Sequence, residues 1–249
     1  MEERHIRIIE LVSIHKKIEV SKLAELLHTS QVTVRKDLDV LADKGILKRE
    51  RGYAVLNAED DINYRMAFHY EIKRKIALSA AKLVQDGETV MIESGSACML
   101  LAELLAYEKR GVTIITNSAY LASYVKDAPG VKVTLLGGDY QPRAQAMVGP
   151  LTKMCAQQFC VDKIFVGTDG FSETNGFTGD NLVRADTVRA MAESAHRTVV
   201  LADAEKFTRA GTVSFLKPSE VSVVITDSGI PGEVREYLTG AGVQVVTVE

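Results

Sequence analysis

Two groups of residues in this chain have the types and spacing for chemistry. The first sits directly after short β-branched runs. Ser94-Gly95-Ser96 follows one such run and opens a helical pattern. Backbone N–H groups, two hydroxyls and a glycine that permits close approach suit a phosphate there, with the helix dipole assisting. Asn117-Ser118 repeats the arrangement after the next run, and Gly137, Gly138 and Asp169 follow later ones. Asp203 and Lys206 stand three apart past another run. Lys206 offers a cation to an anionic group and Asp203 an acceptor to hydroxyls, with a solvated loop ion pair as the plainer alternative. Serine, asparagine and aspartate also cap helices, and glycine also makes tight turns, so one such loop alone is most simply structural. Several on one edge of a sheet point to a ligand site.

The second group is basic and N-terminal. Ser30, Gln31, Thr33, Arg35 and Lys36 open one helical pattern, and Lys48, Arg49 and Arg51 surround a glycine turn just after it. Gln, Thr, Arg and Lys at the start of a helix can reach base edges and phosphates in a major groove. Lys48, Arg49 and Arg51 can neutralise backbone phosphates. A small helical bundle with a solvated charged face, or a helix-turn-helix used for protein contacts, carries the same pattern. No residues are assigned to catalysis, to a metal or to a cofactor. The chain has no GxxxxGK[ST], GxGxxG or HExxH motif. His69 and His196 lack ligand spacing, and Cys98, Cys155 and Cys160 lack C-x-x-C spacing.

The elements that must position these residues follow from periodicity. Residues 5–15, 22–27 and 31–44 read as three helices, with Ser21 and Ser30 as N-caps and Gly45 as the stop of the third. Val34, Leu38 and Leu41 form the buried stripe of that third helix, and residues 47–55 read as two short strands about Gly52. Helix, helix, brief break, helix and basic hairpin is the layout of a winged helix-turn-helix. An acidic, aperiodic stretch beginning at Asn57 reads as linker. A helix over 71–84 follows, and then strands over 89–92, 112–115, 131–136, 163–166, 198–201, 221–225 and 243–248. Helices over 97–107, 119–126, 151–158, 185–194 and 232–239 alternate with them. That is an α/β domain with a mostly parallel sheet. The expected division is 1–57 for the head, 58–70 for the linker and 71–249 for the α/β domain.

Composition bounds the function. The chain has 249 residues, 46% hydrophobic and 25% charged, enough for one or two domains at ~150 residues each. The net charge of −3 is uneven: residues 1–57 hold 11 Lys+Arg against 9 Asp+Glu, and the remainder 19 against 24. A mildly basic head on an acidic body assigns any polyanion to the head. The absence of a signal-peptide pattern and of long apolar runs leads us to expect a cytoplasmic protein with no membrane partner.

These residues resemble the DeoR family of bacterial transcription regulators nearly end to end. Thr33-Val34-Arg35-Lys36-Asp37-Leu38 is similar to the family's T-[IV]-R-[RK]-D-L segment, and Arg49-Glu50-Arg51-Gly52-Tyr53-Ala54 to its R-x-H-G-G-A wing, with Arg51 and Tyr53 as departures. Glu93-Ser94-Gly95-Ser96-Ala97 resembles D-S-G-T-T, with Ala97 lacking a hydroxyl. Thr116-Asn117-Ser118, Gly137-Gly138, Val148-Gly149-Pro150 and Asp203-Ala204-Glu205-Lys206-Phe207 match further motifs. The resemblance implies a C-terminal sensor domain similar to ribose-5-phosphate isomerases and sugar-phosphate deaminases, which in the family usually binds a phosphorylated sugar or related metabolite and releases DNA, with activators also occurring. Arg184 and Val188 stand where the family often has Glu and Lys, which implies a different ligand shape or charge distribution. Two classes follow: a repressor of a carbohydrate operon, acting on double-stranded operator DNA as a homo-oligomer (dimer or tetramer), or a sugar-phosphate isomerase or deaminase with an added head. The fused head and wing favour the repressor.

Overall fold

The computed structural model describes residues 3–43, 47–55 and 62–249. The chain divides into two units, Met1–Glu71 and Ile72–Glu249. In the first, α1 (Glu3–His15), β1 (Lys17–Glu19), α2 (Val20–Leu26), α3 (Gln31–Asp43), β2 (Lys48–Glu50), β3 (Tyr53–Val55) and α4 (Ile62–Ala67) follow in order. The apolar stripes of the first three helices meet, and Ile8, Ile9, Val12, Leu23, Val34, Leu38 and Leu41 are fully buried. Ser30 caps α3 as expected, its Oγ accepting from the Thr33 N–H at 3.1 Å.

The head departs from its sequence reading in three places. Lys17-Ile18-Glu19 is a strand, giving a three-stranded antiparallel sheet in the order β1-β3-β2. One buried residue between two exposed ones is too short a pattern to betray it. Because Glu19 is still paired with Tyr53, it remains extended and becomes the residue preceding α2. The helix therefore starts at Val20, and Ser21, expected as its cap, instead donates to Glu19 Oε2 at 3.0 Å. Finally, α4 lies within the stretch 58–70 read as linker; Ile62 and Met66, four apart, are buried. The expected stop at Gly45 and the linker residues 57–61 lie outside the described residues.

A charged clasp joins α1 to α3. Arg4 donates through Nε and Nη2 to the two Asp37 oxygens at 2.6 and 3.0 Å, and His5 Nε2 lies 3.2 Å from Oδ1. Asp37 is buried, and the Arg4 hydrogen bond holds its carboxyl below the ordinary value of 3.8, against the opposing effect of burial.

The division falls within α5 (Tyr70–Ala81), after which the second unit runs through β4 (Thr89–Ile92), α6 (Ser96–Glu108), β5 (Val112–Thr116), α7 (Ala119–Tyr124) and β6 (Val131–Leu135). A hairpin, β7 (Asp139–Gln141) and β8 (Ala146–Val148), precedes α8 (Pro150–Ala156) and β9 (Val161–Val166). Next come β10 (Gly170–Ser172), β11 (Gly176–Gly179), α9 (Leu182–Glu193) and β12 (Ala195–Leu201). A 3-10 turn (Ala204–Thr208), β13 (Val213–Leu216), β14 (Val223–Asp227), α10 (Gly232–Gly240) and β15 (Gln244–Val248) complete it. Every strand expected from periodicity is present, and they form one sheet in the order β15-β14-β12-β9-β4-β5-β6, parallel throughout. The central strands are apolar without alternation because both faces are covered. The sequence reading missed the antiparallel pieces β7–β8 and β10-β11-β13. They are three or four residues long, and β10, β11 and the 3-10 turn contribute the buried Phe171, Phe177 and Phe207, the Phe171 ring lying 5.0 Å from Phe177 and 5.9 Å from Phe207. No helix among the described residues is long and apolar enough to cross a membrane.

Asp37→Asn is expected to lower stability by roughly 1–3 kcal/mol at neutral pH through loss of the charge-assisted bonds. The folded carboxyl titrates below its unfolded value, so this contribution is complete above 3.8 and is lost as pH falls through the folded value. Denaturant unfolding of both proteins should therefore show a gap at pH 7 that narrows below that point.

Candidate functional site

The strand order places the sheet's reversal between β4 and β9. From β4 the chain builds outward through β5 and β6; it then returns to add β9, β12, β14 and β15 on the other side. The crevice at the carboxyl ends of two such strands is where open α/β sheets bind ligands. Ile92 lies opposite Thr116 on β5 and Phe165 on β9, so Glu93, Asn117 and Gly167 leave three neighbouring strands at nearly the same level. Ser94, Gly95 and Ser96 follow Glu93, with Gly95 preceding a 13-residue helix that has no side-chain cap.

A side chain at Gly95 would meet the Glu93 carboxylate first. A Cβ there would come 3.4 Å from Gly167 Cα and 2.9 Å from Glu93 Oε2. Glu93 itself, absent from the expected site residues, is buried and accepts from Ser94 Oγ at 2.9 Å and from the Gly167 N–H at 3.2 Å. Its place in the motif beside Ser94 was the available signal; that it folds back across the crevice depends on β9, which lies far along the chain.

Asn117 and Ser118 act mainly as builders. Ser118 Oγ accepts from the Leu121 N–H and caps α7, a helix of only six residues. Asn117 Nδ2 donates to Met147 O at 3.0 Å and so fixes β8 beside β5. The Asn117 Oδ1 atom is buried with no hydrogen-bond partner among the described residues. Gly137 and Gly138 differ: Gly137 is exposed with nothing near its missing Cβ. At Gly138, φ is +150°, and a Cβ would lie 1.9 Å from Thr152 Oγ1 and 2.7 Å from Val148 O. Gly149, with φ +88°, precedes Pro150 at the start of α8, and its N–H donates to Thr187 Oγ1 at 3.1 Å.

Asp169 and Asp203 reach the same edge from β9 and β12. Asp169 is half-buried; its N–H donates to Thr178 O at 3.0 Å and its Oδ2 accepts from the Asp180 N–H at 3.3 Å, which ties β10 to β11. Asp203 is buried and Lys206 half-buried, the Lys206 N–H donating to Asp203 O at 3.0 Å. Phe207, at the end of that motif, is a core residue. Arg184 is half-buried in the first turn of α9, its N–H capped by Asn181 Oδ1. An open concavity of about 390 Å³ lies at the other end of β4 and β9 and is lined by Gln85, Asp86, Gly87, Glu88, Asp162 and Lys163. It collects none of the expected site residues.

In the head, α3 turns Val34, Leu38 and Leu41 inward and leaves Gln31, Arg35 and Lys36 exposed, with Thr33 half-buried beside Ser30. Arg35 Nη2 donates to Gln31 Oε1 at 3.3 Å, so the two present one face. Lys48, Arg49 and Arg51 are exposed on the wing. Arg49 forms an ion pair with Asp39 of α3, a tie that the sequence reading did not foresee. Tyr53, a departure from the family's wing, donates to Glu19 Oε1 at 2.9 Å and lies under Lys17 Nζ, which is 4.8 Å from its ring centre.

Comparison with known proteins covers both units. The family model for the DeoR-like helix-turn-helix domain matches residues 4–60, and that for the DeoR C terminal sensor domain matches residues 68–228. The HTH-type transcriptional regulator GlpR of Haloferax volcanii is 32% identical over 98% of this chain and 96% of its own. GolR of Listeria innocua, also an HTH-type transcriptional regulator, is 30% identical over 99% and 98%. The transcriptional repressor AccR of Agrobacterium fabrum is 28% identical over 92% and 90%. Among solved structures, ribose 5-phosphate isomerase A of Methanocaldococcus jannaschii aligns with 55% of this chain and 54% of its own, at 22% identity and a TM-score of 0.39.

The two adjacent glycines are expected to respond differently to alanine. Gly138→Ala should cost about 1–3 kcal/mol or more, from the clash with Thr152 and the strained backbone. Gly137→Ala should be nearly neutral. Thermal unfolding of the two variants beside the wild type checks the contrast.

Proposed function

Because this chain belongs to the DeoR family of transcriptional regulators, we propose that it is a repressor released from operator DNA by a phosphorylated sugar or a close metabolite. The chain is a regulator rather than an isomerase or deaminase, as its named relatives are regulators throughout. The observation that carries the DNA side is α3: one face is fully buried at Val34, Leu38 and Leu41, and the other presents Gln31, Arg35 and Lys36 to solvent. Ser30 and Thr33 at its start, with Lys48, Arg49 and Arg51 on the wing, complete the proposed DNA contacts. Repression is supported by the likeness to AccR, a transcriptional repressor.

The effector side rests on the β4–β9 crevice. Ser94, Gly95 and Ser96 at the start of α6 suit a phosphate, Lys206 supplies a cation, and Asn117 Oδ1, Asp169 and Asp203 supply acceptors for hydroxyls. Gly137, Gly138, Ser118 and Arg184 frame this region in the proposal. The proposed working division is a head of 1–57, a connecting stretch of 58–70 and a sensing domain of 71–249. One head offers few basic side chains, so the DNA-bound form is proposed to be a homo-oligomer with heads paired on a two-fold site.

Arg35→Ala should weaken operator binding without unfolding the head. A lost base contact costs roughly 1–3 kcal/mol, and a lost phosphate contact lowers the salt slope by about one unit. Wild-type affinity and salt dependence would move the DNA face elsewhere. A thermal-shift panel of sugar phosphates identifies the effector, since binding to the native state raises its stability. Gly95→Val and Lys206→Ala should still bind DNA but fail to release it on adding that effector. Effector binding and DNA release are linked, so the effector must bind the DNA-free form more tightly. A normal response from both variants in a DNA-binding titration would overturn the site.

A further inference from the structure

At the crevice just described, two donors are already in use by a carboxylate of the same edge. The Ser94 hydroxyl donates to Glu93 Oε1 at 2.9 Å, and the Gly167 N–H donates to Oε2 at 3.2 Å. The carboxylate is buried, and Oε2 lies 2.9 Å from the point where a Gly95 side chain would begin. It therefore fills the space that the two glycines keep open, directly before the uncapped start of α6. A carboxylate and a phosphate use the same kind of site: both are acceptor-only anions drawn to N–H groups, hydroxyls and a helix N-terminus.

We propose that Glu93 is a built-in occupant of the anion cradle at the β4–β9 crevice, so that a ligand's phosphate or carboxylate group binds there only by displacing the Glu93 side chain. This rests on reading the strand-end edge as an anion cradle and adds the residue that sets its selectivity. Two consequences follow. An anionic ligand meets a like charge at close range on entry, in partly desolvated surroundings where such repulsion is weakly screened. Once the carboxylate leaves, the bonds it accepts from Ser94 Oγ and the Gly167 N–H break together, so binding and the Glu93 rearrangement are one event. The crevice thus rejects weak anions and admits those whose remaining groups offset the displacement, such as hydroxyls donating to Asn117 Oδ1.

Inorganic phosphate is the probe, because it reports on the cradle without DNA or an identified effector. Its dissociation constant is measured by calorimetry on the full chain, with chloride at matched ionic strength as the control. Glu93→Gln keeps the shape and an acceptor for Ser94 while removing the charge, and Glu93→Ala removes the occupant altogether. Circular dichroism and melting temperature without phosphate establish that each variant is folded. Phosphate should bind Glu93→Gln at least tenfold more tightly than wild type, and adding Gly95→Val to Glu93→Gln should abolish that gain. Equal affinity in wild type and Glu93→Gln, lost in both on adding Gly95→Val, would overturn the occupant role and leave the cradle standing. Failure of phosphate to bind wild type and both folded Glu93 variants would overturn the cradle and the occupant together.

Discussion

The parallel pairing of β4 with β9 is the constraint on which the rest of the sensing unit's geometry depends. The two strands are hydrogen-bonded neighbours although the chain between them runs off to build β5, β6 and the β7–β8 hairpin. A Cβ at Gly95 would crowd the Glu93 carboxylate at 2.9 Å, whereas one at Gly167 would meet only ordinary contacts at 3.6 Å. Parallel pairing also sends every strand's carboxyl end to one edge, so residues as far apart in sequence as Glu93 and Gly167 emerge side by side. The helix following β4 then begins without a side-chain cap, leaving its first amides facing that edge.

Much of what lines the edge builds it as well. Ser118 caps α7, Asn117 holds the hairpin through Met147, Asp169 ties β10 to β11, and Gly138 makes room for Thr152. Such double use is economical in a small domain, but it means that substitutions there act on shape as well as on ligand contact. Lys206 and Asn117 Oδ1 are where ligand chemistry is most separable from architecture. In the head the same distinction is sharper. The Arg4–Asp37–His5 clasp and the Arg49–Asp39 pair fix α3 from both sides, while Gln31, Arg35 and Lys36 are left outside that framework.

Local pattern was enough to read the helices and the parallel strands. Val34, Leu38 and Leu41 mark a buried face by spacing alone, and the β-branched runs at 89–92 and 112–115 state their own conformation. Ser30 announced the start of α3 because its cap is made within three residues. The strands missed were those whose existence depends on a distant partner. Lys17-Ile18-Glu19 is extended because Tyr53-Ala54-Val55 pairs with it, and that pairing moved the start of α2 from Lys22 to Val20. The segments at 170–172 and 176–179 likewise need each other and Val213–Leu216.

By itself the sequence determined the two-part organisation, the basic face of α3, the α/β class and the small and polar residues at the strand ends, because each is written in periodicity and residue type over a short span. Only the tertiary structure decided which strand ends are neighbours, that Glu93 spans from Ser94 to Gly167, that Gly138 is required where Gly137 is free, and that Asp37 answers to Arg4. These are contacts across 33 to 74 positions or steric limits set by another element. The physical reason is that a hydrogen bond or a clash depends on where the chain returns, and composition and spacing carry no record of that return.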